Sequence, residues 1–361
     1  MRITLLGGEL GNPTSGQSRF LLNLARGLNA RGMKTNVVAG HAESEAIELL
    51  RRDGVATVDL GRPPDSNLSR ARLLLNSSRL ARRIGKLARR VAPGDWYVVV
   101  SDAVVGAVQE LPPSKSVFIC NGDLGLMLLS PAFYKEHRFA KRVLALGLAD
   151  YILRNAVHVR MYRKLLANSE FTRRFMSYLY AIPFHGVVYP PVDLYQFAPR
   201  ETNRLPSALA ISRNTNEQGI EMLERIAMSV PLTVVGEAKV RNAVTTGVVS
   251  DDRLSAAYSS ASVVLVPVVS EFFGYAAAEA LACGTPVVAF DTAGPAELIR
   301  PGIDGWLARS FNEFVDIAIR AVRGGYPKEM RAAARAGAAR FSTEASVDAL
   351  MTHLGMRPGR P

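Results

Sequence analysis

SVVLVPVVSEFFGYAAAEALACGTPVVAFD, running from Ser262 to Asp291, fixes the fold class by itself. The β-branched run Ser262 to Val268 has the length of a buried strand. An Ala-rich segment of helix length follows, then a Gly284-Thr285-Pro286 turn and a second apolar strand, VVAFD. The loop between first strand and helix carries Glu271 and Gly274. With the helix opening near Tyr275, the backbone N–H groups of Phe273, Gly274 and Tyr275 are expected to point out of its N-terminus. Such an end attracts phosphate or sugar oxygens. Glu279 falls one turn into the helix, where its carboxylate can accept two hydrogen bonds from a ribose diol.

Outward from this unit, strand-like runs alternate with helix-period segments along the chain, the pattern of a parallel sheet covered by helices on both faces. The expected strands are Ile3 to Leu6, Thr35 to Ala39, Thr57 to Leu60, Trp96 to Val100 and Val117 to Cys120 in the first half. The second half supplies Ala208 to Ile211, Leu232 to Val235, Val244 to Val249, Val263 to Val268 and Val287 to Phe290. VVYPPVDLYQFAPRETNRLP separates them, with four prolines and no helical period. The fold class is therefore α/β, with two doubly wound Rossmann-like domains expected to face each other across a cleft. Their boundaries are 1–195 and 196–340, and a C-terminal helix and tail at 341–361 can return to the first domain. Ligands of such sheets bind beyond the carboxyl ends of the strands, so the informative loops are those that follow strands.

Composition narrows the classes. The 361 residues are 48% apolar, enough for two cored domains. The net charge of +12 is uneven: residues 1–195 hold 27 Lys and Arg against 15 Asp and Glu, whereas 196–361 hold 17 of each. A basic half beside a neutral half points to an anionic partner for the first, the alternative being a solvated basic surface. Much of the excess sits in Ser69 to Arg90, a helix-period segment with Leu73, Leu80, Ile84 and Leu87 on one stripe, eight basic positions and no acid. Without interleaved aromatics for base stacking, nucleic acid is not the expected partner. Cys120 and Cys283 stand far apart in apolar segments and read as buried thiols, and the five histidines form no close pair, so no metal is expected. No apolar run spans a membrane uncharged and RITLLGG reads as a first strand, so the expected location is cytoplasmic.

The ordered motifs resemble the retaining glycosyltransferases of the GT-B fold, in the group called family four or group one. The resemblance rests on the first loop (Pro13 to Gly16), LLANSEFTRRF and VVYPPVDLYQFAP at the junction, and ISRNTNEQGIE opening the second domain. VVGE, TTGVVSDDRLSAAYSSASVVLVP and EFFGYAAAEALACGTPVVAFDTAGPAELIRPGIDGWLA complete it in the same order. It implies transfer of a sugar from a nucleotide-sugar donor to a hydroxyl of a glycan or lipid-linked acceptor, with retention at the anomeric carbon and no cofactor. By the resemblance, Glu271 and the backbone of Phe273, Gly274 and Tyr275 contact the donor sugar, and Glu279 holds the ribose. Arg213 pairs the diphosphate, which the Gly16 amide also approaches. Two positions depart from the family pattern: Gln218 stands where a lysine is usual, and Asn121 where a histidine is usual. They support an alternative, a catalytically weakened GT-B protein acting as a nucleotide-sugar-binding or partner subunit. The resemblance also gives the face of Ser69 to Arg90 an anionic membrane surface, and the protein a peripheral position at the inner face of the membrane.

One competing motif fails on chemistry. GNPTSGQS, Gly11 to Ser18, has the glycine spacing of a phosphate-binding loop between a strand and a helix. Gln17 occupies the place of the lysine whose charge that loop requires.

Overall fold

Runs of Val, Ile and Leu become parallel strands here because each is followed by a helix or a long connection that brings the chain back to the same end of the sheet. The computed structural model describes residues 1–11, 16–61, 70–122, 140–201, 205–211 and 217–356. It divides into two units, Met1–Pro191 with Ser346–Pro361, and Val192–Ala345.

In the first unit, β1 (Arg2–Leu10), β2 (Lys34–Ala42), β3 (Ala56–Asp59), β4 (Trp96–Val99), β5 (Ser116–Cys120), β6 (Lys164–Ala167) and β7 (Gly186–Val187) form a parallel sheet ordered β3-β2-β1-β4-β5-β6-β7. Helices α1 (Gly16–Ala30), α2 (Ser44–Arg52), α3 (Arg70–Val91), α4 (Ala140–Val159) and α5 (Glu170–Leu179) connect the strands, and a 3-10 segment at Asp102–Glu110 follows β4. Ser169 caps α5, its Oγ accepting from the Thr172 amide at 3.0 Å, so the NSEFT stretch is in part a helix start. Leu21, Leu24 and Leu28 of α1 share a core with Val37, Val98 and Ile119 of the sheet and with Val347, Leu350 and Met351 from the chain's far end.

The second unit repeats the plan with β8 (Ala208–Ile211), β9 (Leu232–Val235), β10 (Val244–Thr245), β11 (Val263–Val266), β12 (Val287–Phe290) and β13 (Gly305–Ala308), parallel and ordered β10-β9-β8-β11-β12-β13. Its helices are α6 (Glu217–Ala227), α7 (Asp251–Ser260), α8 (Tyr275–Ala282), α9 (Ala293–Leu298), α10 (Phe311–Arg323) and α11 (Lys328–Ala338). The strand expected over Val244 to Val249 stops at Thr245. Gly247 adopts φ +71° and its carbonyl accepts from the Gly236 amide at 2.9 Å, which turns the chain out of the sheet. Ser250 caps α7, its side chain accepting from the Arg253 amide, and Asp252 pairs with Arg200 at 2.8 Å.

The change of unit falls at Val192, four residues ahead of the boundary read from the prolines, because the Val192 amide bonds the Phe341 carbonyl at 2.8 Å. The last helix, α12 (Thr343–His353), leaves the second unit at Ser346 and joins the first. There Arg31 pairs with Asp348 at 2.8 Å and the Lys164 ammonium donates to the His353 carbonyl. No helix among the described residues is long and apolar enough to cross a membrane.

Two histidines are folded into this unit at a cost in proton affinity. His158 of α4 is buried against Gly106, and its Nε2 meets the Gln109 amide at 2.8 Å. Burial, then the charges of Arg154 and Arg82, hold it below the usual value of 6.5. Burial and Lys164 act in the same direction on His353. The unfolded chain therefore takes up these protons first. Stability contributed by the neutral rings is complete above about pH 6.5 and is lost as pH falls toward the folded values. Thermal midpoints are expected to drop between pH 7.5 and 5.5, and His158→Gln to flatten that slope by the share His158 contributes. An unchanged slope in both His158→Gln and His353→Gln would assign the acid sensitivity elsewhere.

Candidate active site

In the second sheet the strand order reverses between β8 and β11, so the connections leaving these neighbours run to opposite sides and open a gap at their carboxyl ends. The loop that leaves β11 there is EFFG. Glu271 is half-buried in it, and Gly274 ends it at φ +100° as the cap of α8. A side chain at Gly274 would be strained by that φ and would also meet Pro295 Cγ at 2.9 Å. The first turn of α8, from Tyr275, lies at this edge. The Phe273 ring is buried between Tyr275 and Phe341, with centroids at 5.4 and 5.7 Å.

The loop is held by a contact that sequence reading missed. Gly294, the second residue of α9, donates its amide to the Glu271 carbonyl at 2.8 Å. Its Cα lies so close to the loop that a Cβ would stand 2.2 Å from the Phe272 carbonyl oxygen and 2.6 Å from the Phe273 nitrogen. The preceding Ala293 takes φ +59° to make the approach. Only the glycine in DTAGP signals it, and a glycine before proline ordinarily reads as a turn.

Glu279 is 4% exposed, so it is not a surface residue of an amphipathic helix. Tyr258 of α7, fully buried, donates its hydroxyl to Glu279 Oε2 at 3.1 Å. One helical turn on, burial pushes the Cys283 thiol up to about 11, against hydrogen bonds from Ser255 and Ser259, and the Glu279 charge adds to the rise. Two arginines of α11 brace the far end of α8. Arg335 donates to the carbonyls of Ala282, Phe197 and Leu194 at 2.8 to 3.1 Å, and Arg331 reaches Thr285 Oγ1 at 2.9 Å. Thr285 in turn donates to the Tyr258 carbonyl at 2.6 Å, so the carboxylate, its tyrosine and the turn after α8 form one connected frame.

The remaining sequence candidates fall elsewhere. Arg213 lies outside the described residues; Gln218 is the second residue of α6, after β8, and its side chain is likewise outside them. Gly16 and Asn121 belong to the first unit. Gly16 is exposed as the first residue of α1, after β1. Asn121 directly follows β5, and both polar atoms of its side chain are buried with no hydrogen-bond partner among the described residues. Asn168 at the end of neighbouring β6 joins it, donating Nδ2 to the Asn121 carbonyl at 2.9 Å; its Oδ1 also has no partner there. Unsatisfied buried amides are rare, and three such atoms at adjoining strand ends mark a place suited to a hydroxyl-bearing ligand or water. Cys120 is buried beside them with its thiol on Asp102 Oδ1 at 3.2 Å.

Comparison with known proteins bears on the fold and on the second unit. Residues 220–323 match the model of the family described as Glycosyl transferases group 1. The D-inositol 3-phosphate glycosyltransferase of Mycobacterium leprae is 37% identical over 107 residues, which are 28% of this chain and 25% of that protein. That of Mycobacterium bovis is 39% identical over 103 residues, 27% and 22% of the two chains. The chain thus spans about a quarter of the length of the curated relatives it matches. Among solved structures, the sucrose-phosphate synthase of Thermosynechococcus elongatus superposes with a TM-score of 0.78 at 16% identity, over 98% of each chain. HepE of Anabaena, solved with UDP, gives 0.71 at 16% identity over 98% of this chain and 100% of its own. The fold is that of GT-B glycosyltransferases, with two parallel-sheet Rossmann-like units, and residues 220–323 within it carry the sequence pattern of the group 1 glycosyl transferases.

Proposed function

We propose that this protein transfers a sugar from a nucleotide-sugar donor to a hydroxyl of a glycan or lipid-linked acceptor, with retention at the anomeric carbon. The observation that carries the reading is the buried Glu279, braced by Tyr258 one turn inside a helix whose N-terminus sits at the β8/β11 switch point. A carboxylate in that position repels phosphate but accepts from a ribose diol, while the amides beside Gly274 favour the anionic or hydroxyl-rich groups beyond it. The UDP in HepE and the name of the mycobacterial relatives favour the same ligand class.

In this reading Glu271 and the backbone of Phe273 to Tyr275 orient the sugar, and Arg213, with the Gly16 amide, meets charge growing on the leaving diphosphate. The bond from the anomeric carbon to the leaving oxygen breaks as the acceptor oxygen bonds to the same face. The leaving phosphate takes the acceptor proton, so the reaction needs neither a protein nucleophile nor a metal. Asn121 offers a donor and an acceptor to sugar hydroxyls where a histidine would offer a charge. Gln218 supplies a neutral hydrogen bond where a lysine would supply a cation. The basic face of Ser69 to Arg90 suits an anionic membrane surface and a peripheral, cytoplasmic location.

Millimolar UDP, GDP, ADP or dTDP is expected to raise the thermal midpoint, by about 2.7 kcal/mol of stability at 100 times Kd. Glu279→Ala is expected to weaken that binding more than Glu271→Ala. Silence with every nucleotide would overturn the proposal, and equal losses would reverse the roles of the two glutamates.

Gly294→Ala is expected to cost about 1–3 kcal/mol, since backbone rather than a movable side chain blocks the added methyl. Nucleotide binding should fall with it; calorimetric unfolding and nucleotide titration read the two effects, and full binding in a normally stable variant would disprove the loop's dependence on Gly294. Gln218→Lys is expected to raise donor hydrolysis at least about tenfold, some 1.4 kcal/mol at the transition state. A loss with every donor would instead favour a site rebuilt for binding alone, as the subunit reading requires.

A further inference from the structure

Three buried polar atoms that no described neighbour satisfies lie together at the carboxyl ends of β5 and β6 in the first unit. The strands are in register there, Cys120 against Ala167, so the residues that follow, Asn121 and Asn168, stand side by side beyond the sheet. Asn168 is 4% exposed, and it is fixed twice: its backbone amide donates to the Cys120 carbonyl and its Nδ2 to the Asn121 carbonyl, both at 2.9 Å. Gly122, at φ +123°, then turns the chain in a way open to glycine. The polar groups next to the pair are committed elsewhere. The Cys120 thiol donates to Asp102 Oδ1 at 3.2 Å, and Ser169 Oγ accepts from the Thr172 amide at 3.0 Å. Nothing among the described residues uses Asn168 Oδ1 or either polar atom of the Asn121 side chain.

Tying β5 to β6 accounts for Asn168 Nδ2 alone. Buried amide groups left unsatisfied cost stability, and an aliphatic side chain at position 121 would cost less. The unmet set therefore describes the group that completes it. Asn168 Oδ1 is an acceptor by virtue of the bond its Nδ2 makes, and the Asn121 amide brings one acceptor and one donating group whichever way it is turned. A ligand filling the place must supply two hydrogens and one acceptor. A pair of sugar hydroxyls does so, whereas a carboxylate or a dianionic phosphate has no hydrogen to give and would face both side-chain oxygens. We infer that Asn121 and Asn168 together read an uncharged, hydroxyl-bearing edge of a sugar, with Asn168 as a specificity-determining residue. The inference rests on the sugar ligand proposed above and adds to it a second residue and the exclusion of anionic groups from this place.

The sugar can come from the donor or from the acceptor, and two titrations separate these sources. In the first, the full chain is titrated with UDP, GDP, ADP and dTDP and with their conjugates of neutral hexoses, parent and monodeoxy. In the second, parent and monodeoxy methyl hexosides are added to the chain saturated with whichever diphosphate binds. In one of the two, the parent sugar is expected to strengthen binding and a monodeoxy form to lose at least about tenfold, because it leaves buried groups unpaired. Asn168→Ala should bring the parent down to the level of that monodeoxy form without changing the affinity for the free diphosphate. Asn121→Leu should lose the same increment while its thermal midpoint holds or rises, whereas loss of a purely structural amide would lower it. A hexuronate conjugate should gain nothing over its hexose. A monodeoxy loss that persists in full in Asn168→Ala, or tighter binding of the hexuronate, overturns the inference. So does a diphosphate that binds while no sugar adds to it in either titration, which leaves the amides to ordered water and the transfer reading in place. If no diphosphate binds, both readings fall.

Discussion

A parallel sheet gives every strand the same polarity, and this constraint decides where chemistry can occur in the second unit. With all strands leaving at one edge, their loops collect there, and the reversal of order between β8 and β11 leaves a gap that no crossover covers. The EFFG loop, the N-terminus of α8 and the start of α6 are delivered to that gap by connectivity alone. What remains for individual residues is to hold the delivered loop still. Gly294 does so by bringing backbone against backbone at a distance no other residue allows.

The same frame explains how a carboxylate can sit in a core. An ionised glutamate in an apolar interior is strongly unfavourable unless its oxygens are hydrogen-bonded. Glu279 has the Tyr258 hydroxyl on one oxygen, and Tyr258 is itself fixed through its carbonyl by Thr285, which Arg331 holds. The alanines of α8 make the arrangement compact: Ala277, Ala278, Ala280 and Ala282 are fully buried and let neighbouring elements approach closely. The acid is thereby aimed rather than merely tolerated, since its orientation is determined by groups that cannot move independently.

Most of the sheet was legible because strands buried on both faces read as unbroken apolar runs, as VVLV and VVAF do. The short strands were not. KLLA at β6 and GWLA at β13 hold only a few apolar residues between polar ones, and the two residues of β7 carry no period at all. In the candidate site, Glu271, Gly274 and Glu279 announced themselves by spacing along one segment. Tyr258, Gly294 and Asn168 did not, because their roles depend on partners up to 47 residues away, and sequence reading registers local pattern rather than distant contact. The α3 stripe was readable by helical period, yet the burial is shared with Ala81 and Ala88, whose small size hides them in a hydropathy pattern.

The path of the chain has a consequence for biosynthesis. Val192–Ala345 is contiguous, whereas the first unit is finished only by Ser346 onward, whose helix completes a core begun by α1 and β1. During synthesis, the second unit has all its strands available while the first still lacks Val347, Leu350 and Met351. Domains generally fold from the N-terminus as they emerge, and here that order is partly inverted. The unit translated first stays unsealed along α1 for about the time needed to make the other, at roughly 5–20 residues per second. Through that interval the apolar surface of α1 waits for Val347, Leu350 and Met351, so closing the first core depends on the last-made helix.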